Sequence, residues 1–281
     1  MKHRILLTAM LAIAPLVSHA DTDDFGVWTE IGVEKSITKQ WSLGLEGEMR
    51  TGENCTAMNR LSAGLKVGYK PIKYLKLAAS YSFINKYKPE KTSKESYDED
   101  NQLESYRLTP GYWLPHHRLC AEATATVKLW KWLRISARER YQYTRQEEKT
   151  ITRTDHEFAE YYQPDGTIHS GWETTPNPKT YASEDEQVVR SRFKFEYDKK
   201  YVKWSPFVSV EFHNRIDRRW HLQKLRSSIG TEYKINKQHK VSLAYLITNR
   251  FFETPNEIRH TLSVGYNFDF YNTDRDLYIY Y

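Results

Sequence analysis

The chain has 281 residues, with 42 Lys and Arg against 36 Asp and Glu, a formal net charge of +6. That excess is modest and spread along the chain, which leaves nucleic-acid binding little support, because such a partner calls for Lys and Arg gathered on one face. A mean hydropathy of -0.76 with 28% charged residues fits a soluble protein and a barrel with polar interior and loops equally well. The 21 Tyr, 8 Trp and 11 Phe tip the balance toward the barrel, since amphipathic rings are favoured where membrane meets water.

At the amino terminus Lys2, His3 and Arg4 precede an apolar run over 5–17, and Ser18-His19-Ala20 supplies the small residues that signal peptidase reads. The reading is a cleaved signal peptide over 1–20, with a mature chain over 21–281 that begins at Asp21. No Cys follows the run, so no lipoprotein anchor is expected. The run is shorter than the roughly 20 residues of a spanning helix, and no later segment approaches that length without a charge, which excludes helical insertion.

From there a polar/apolar alternation keeps restarting. The first segment puts Phe25, Val27, Thr29, Ile31 and Val33 on one parity and Gly26, Glu30, Gly32 and Glu34 on the other. The second, over 41–50, opposes Trp41, Leu43, Leu45 and Met49 to Ser42, Glu46 and Glu48. A third sets Leu61, Ala63, Leu65, Val67 and Tyr69 against Arg60, Ser62 and Lys66, and a tight turn at 70–73 leads to Leu75, Leu77, Ala79, Tyr81 and Phe83. Period-two alternation gives a strand two chemically opposite faces.

After a charged stretch over 88–102 the pattern resumes at Arg118 with Leu119, Ala121, Ala123, Ala125 and Val127. The next segment is the most charged: Arg134, Ser136, Arg138 and Arg140 share one parity, and across a long insertion Arg190, Arg192, Lys194 and Glu196 repeat the arrangement. Four further segments over 202–212, 225–235, 241–250 and 258–270 complete eleven, the last an aromatic-ended row. Such a meander hides its edges by closing into a barrel. The fold class read from this is all-β, an antiparallel transmembrane β-barrel of about 12 strands. Bacterial single-chain barrels have an even number, so a twelfth strand is expected either over 103–114, interrupted by Pro110, or in the tail over 276–281.

Periodicity does not say which face is inside, and a soluble periplasmic barrel would turn the apolar row inward around a greasy ligand. Glycines on the polar parity, including Gly26, Gly44, Gly64, Gly68, Gly230 and Gly265, suit a wide wet interior. Aromatic residues near strand ends, Trp28, Trp41, Tyr69, Tyr74, Trp132, Trp204 and Tyr266, read as interfacial girdles. With the apolar parity outward, lipid of a Gram-negative outer membrane and the barrel-assembly machinery are the expected partners. The lumen then receives basic Arg134, Arg138, Arg140, Arg190, Arg192 and Lys194, with acidic Glu46, Glu48, Glu196 and Glu232. These charges form either a lattice of pairs that rigidifies or plugs the barrel, or a pore favouring small anionic solutes.

Cys55 and Cys120, the two cysteines, fall near one rim on this map and are a candidate disulfide. The insertion over 146–186 either folds inward as a constriction or outward as a surface. A lipid-modifying or proteolytic barrel is the competing class, but it needs a nucleophile beside a base. His260 and Ser263, three apart in a strand, point to opposite faces, while His116 and His117 have no obvious Ser or carboxylate partner. No catalytic residue, cofactor or metal site is assigned.

The stretches over 24–35 and 39–50, Tyr87-Lys-Pro-Glu-Lys91 and Ala137-Arg-Glu-Arg-Tyr-Gln-Tyr143 together resemble the bacterial family called domain of unknown function 2490, over nearly the whole mature chain. The resemblance implies an outer-membrane barrel of Gram-negative bacteria with no established activity or catalytic residues. This chain departs from the expected pattern by continuing past Phe270.

Overall fold

A computed structural model describes residues 23–99, 101–162, 168–217, 220–251 and 258–270. The expected signal peptide, the 252–256 loop and the tail past Phe270 lie outside them. Fifteen strands follow in chain order: β1 (Asp23–Ser36), β2 (Trp41–Gly52), β3 (Ala57–Ile72), β4 (Leu75–Lys88), β5 (Lys91–Tyr97), β6 (Leu103–Thr109), β7 (Tyr112–Leu129), β8 (Leu133–Gln146), β9 (Lys149–Tyr162), β10 (Ile168–Tyr181), β11 (Glu184–Tyr197), β12 (Trp204–Arg215), β13 (His221–Lys234), β14 (His239–Arg250) and β15 (Ile258–Phe270).

Eleven of them close a barrel in the order β1-β15-β14-β13-β12-β11-β8-β7-β4-β3-β2. They are the eleven alternating segments of the sequence, and every neighbouring pair is antiparallel except one. β1 pairs β15 in parallel from Asp23↔Ile258 to Lys35↔Phe270. This corrects the expectation of about 12 strands. The even count follows from antiparallel pairing all the way round, whereas a parallel seam lets first and last strand run the same way and closes an odd number. The 103–114 segment supplies no twelfth barrel strand: it divides into β6, which belongs to another sheet, and the start of β7.

The barrel wall has the polarity of a protein with apolar surroundings. Outward-facing Leu45, Leu65 and Leu119 are 56%, 51% and 55% exposed, while lumen-facing Thr261 and Ser205 are buried. A soluble barrel built around a greasy core would show the reverse. At the tight-turn end Trp41 packs on Tyr69 and Trp204 on Tyr233, both with ring centroids 4.6 Å apart. Nearer the loop end, outward tyrosines pair with histidines of the next strand: Tyr81 with His117 at 2.7 Å and Tyr245 with His260 at 2.8 Å. Inside the apolar band one carboxylate, Glu139, faces outward and accepts a hydrogen bond from Ser191 Oγ at 2.8 Å.

The two longest connections carry the remaining strands, which form a second sheet in the order β10-β9-β6-β5. Both continue from the loop ends of barrel strands, since only Gln146 to Lys149 separates β8 from β9. The insertion is therefore a long hairpin, Ile168↔Tyr162 to Tyr181↔Lys149. One face carries Tyr106 stacked on His156 at 4.4 Å and edge-on to Trp172. On the other, Arg107 grips Asp155 through two nitrogens and Asn177 Nδ2 donates to the same carboxylate at 2.8 Å. Those hydrogen bonds, Arg107's first, hold the Asp155 carboxyl well below the usual carboxylate range.

Candidate functional site: a basic lumen

Alternation fixes the contents of the interior. Because β7, β8 and β11 pair through Glu122↔Arg140, Arg190↔Arg140 and Arg192↔Arg138, their charged parities stand side by side on the inner face. The strands on either side contribute short side chains: Ser62, Ser80 and Ser82 from β3 and β4, and Ser209, Ser228 and Ser242 from β12, β13 and β14. Long guanidinium groups interspersed with short serines line an open cavity of about 510 Å³, within the range of small-molecule sites.

Its wall carries Arg50, Arg60, Arg118, Arg138, Arg140, Arg190, Arg192 and Arg226, with Lys66 and Lys194 lower down. The carboxylates at the arginine level are Glu30, Glu48, Glu122 and Glu211. Each of three is shared. Glu48 meets Arg50 at 2.6 Å and Arg60 at 3.0 Å. Glu122 meets Arg140 at 2.6 Å and Arg138 at 3.6 Å. Glu211 takes Arg138 at 3.0 Å, Arg190 more closely, and His213 at 2.9 Å.

Among the described residues, Arg118, Arg192 and Arg226 have no carboxylate within ion-pair distance. Arg118 and Arg226 donate Nε to neutral hydroxyls, of Thr144 and Thr248, each at 3.2 Å. Arg50 and Arg226 also lie over the Trp28 ring, at 3.6 and 4.5 Å from its centroid, so the indole face screens two cations that have few anions. Nε of the buried Arg138 has no partner.

Toward the turn end the balance differs. Lys76 meets Glu34 at 3.0 Å, and Lys194 bridges Glu196 at 2.8 Å and Glu232 at 2.5 Å. Arg134 binds Glu196 at 3.2 Å and also Asp198, which takes Lys128 at 3.0 Å. Lys240 is paired with Asp269.

The structure thus brings Arg138, Arg140, Arg190, Arg192 and Lys194 together on the cavity wall with Glu46, Glu48 and Glu232. Arg134 and Glu196 sit below it, paired with each other. Sequence reasoning missed Arg118, taken only as the point where alternation resumes, although it shares the parity of Glu122. Trp28 corrects the girdle assignment: it faces the lumen and is 7% exposed. Its even position, on the parity of Glu30, is the signal in the sequence that points it inward.

The candidate disulfide is also corrected. Cys55 and Cys120 are free thiols. Cys55 sits in the turn after β2, whereas β7 begins at Tyr112 rather than Arg118, which sinks Cys120 into the wall between Ser80 and Gln142, facing the cavity. His260 and Ser263 stand on opposite faces, the first bonded to Tyr245 and the second lining the lumen. His116 bonds its Nδ1 to the Leu114 carbonyl at 2.9 Å, and His117 meets Glu147 at 2.5 Å on the outer rim.

No curated protein matches the chain. Among solved structures, the translocator domain of the autotransporter NalP from Neisseria meningitidis is similar at 12% identity and a TM-score of 0.46, over 76% of this chain and 70% of that one. The family described as protein of unknown function (DUF2490) matches residues 25–259, most of the chain, and this protein belongs to it.

Proposed function

We propose that this protein is an outer-membrane β-barrel whose lumen is a water-filled passage favouring small anions. One observation carries the reading: ten Lys and Arg on the wall of an open cavity face six Glu, with Glu122 counted beside the arginines it pairs. An arginine-lined constriction concentrates anions and repels cations, and aqueous surroundings make such a surplus tolerable. The outward rows of Leu, Val and Phe support lipid as the surrounding medium, because side chains so exposed would otherwise make a surface of aggregation. By the usual build of such barrels, the tight turns face the periplasm and the β5–β6 and β9–β10 extensions face outward.

Planar-bilayer recording across a potassium chloride gradient tests the passage. The expected reversal potential reports chloride preference, and silence or cation preference overturns it. The paired charges near the turn end favour a second reading, a structural barrel closed by its own ion pairs. That alternative predicts heat-modifiable migration on gels with no conductance at any voltage.

A further inference from the structure

We infer that the upper lumen is a binding site for a solute carrying adjacent phosphate groups, built by Arg50, Arg118, Arg190, Arg192 and Arg226 around Trp28. The inference deepens the anion-passage reading and rests on it for the identity of the lumen as a solute space. At the arginine level eight guanidinium groups face four glutamates, a surplus of four positive charges. Chloride or one carboxylate answers only a quarter of that surplus. A single phosphate carries roughly 1.5 to 2 negative charges near neutrality and two joined phosphates about 3, so the joined pair answers most of the surplus.

Donor geometry agrees. Arg118 and Arg226 already spend Nε on Thr144 and Thr248, which orients their terminal nitrogens, and among the described residues neither has a carboxylate within ion-pair distance. Arg192 has no ion pair, and Arg190 and Arg50 each share theirs with a second arginine. Planar guanidinium groups bind phosphate oxygens two at a time. Ser62, Ser82 and Ser228 on the cavity wall add neutral donors, and 510 Å³ is room for a diphosphate with a further substituent. The strand wall separates the cavity from lipid, so the ligand is a solute that enters from an end rather than a lipid headgroup.

Inorganic pyrophosphate is the probe, titrated calorimetrically into the full barrel in detergent. Saturable binding of one pyrophosphate per barrel is expected, stronger than for orthophosphate at equal ionic strength. Arg226→Gln and Arg118→Gln should each weaken it by about tenfold, the size of one charge-assisted hydrogen bond, whereas Lys76→Gln near the turn end should not. Arg226→Lys, which keeps the charge but loses the fork, should weaken it less than Arg226→Gln. Unchanged heat-modifiable migration certifies that each variant is folded.

Absence of saturable binding overturns the site, as does equal weakening by Arg226→Gln and Lys76→Gln, the mark of a diffuse ionic atmosphere. Chloride-selective conductance without pyrophosphate binding overturns this site and leaves the passage standing. Pyrophosphate binding to an electrically silent barrel supports the site and removes the passage.

Discussion

Near the turn end, Lys128, Arg134, Glu196 and Asp198 neutralise one another, and Lys194 has a carboxylate on either side. Higher in the same lumen, one carboxylate, Glu211, is shared by Arg138, Arg190 and His213, and among the described residues Arg118, Arg192 and Arg226 have no carboxylate within ion-pair distance. The strands, the pleat and the side-chain types are the same in both places. What differs is stoichiometry: paired charges make a rigid floor, while arginines in excess make a space that attracts anions. Evenly matched ion pairs are weak evidence for net stability, so the floor reads as shape and the surplus as chemistry.

The contrast can be broken at its most loaded point. Glu211→Gln leaves Arg138 and Arg190 facing each other with Glu122 as nearest help, and should destabilise the barrel by about 3 kcal/mol, the scale of unpairing a buried ion. Urea unfolding in vesicles reads this, and anion preference in the bilayer should rise in the same variant. A steric change in the wall separates packing from charge: a Cβ on Gly230 would meet the Leu243 carbonyl oxygen at 2.5 Å and Ala244 Cβ at 2.6 Å. Gly230→Val should therefore cost about 1 to 3 kcal/mol with selectivity unchanged. Lys76→Ala, in the paired region and partly exposed, should cost less than about 1 kcal/mol, and less still in high salt.

The smallest effect lies outside the lumen. The folded-state pKa of Asp155 is depressed, so its hold on Arg107 and Asn177 is fully present above the ordinary aspartate range near 4 and is lost as pH falls below it. Proteolysis of the β9–β10 hairpin by an acid-active protease should accelerate at low pH in the native protein and not in Asp155→Asn. A hairpin equally resistant at both pH values sinks the assignment.

Much of this was legible beforehand because alternation is a local property. Leu43, Leu45 and Met49 against Glu46 and Glu48 identify a strand and its two faces from nine residues, and the same parity put Arg138, Arg190 and Arg192 in the lumen. Three things resisted. Height along the barrel depends on register between strands, so sequence could not tell that Arg134 belongs to the neutral floor and Arg118 to the surplus. β9 carries polar residues on both parities, Arg153 and Asp155 on one and Thr154 and His156 on the other, and so has no apolar row to announce it. Closure depends on one pairing between segments at opposite ends of the chain, which no local pattern encodes.

That seam also governs how the molecule is made. Asp23 and Ile258 are roughly 235 positions apart, and bringing such distant segments together carries the largest loop-closure entropy of any pairing in the barrel. The ring cannot shut until β15, the last of the described strands in chain order, exists. Until then β1 and the growing front of the sheet each present a raw ladder of unmet amides and carbonyls, the kind of border that recruits stray chains. Truncation before β15 would thus be expected to yield aggregation rather than a smaller barrel.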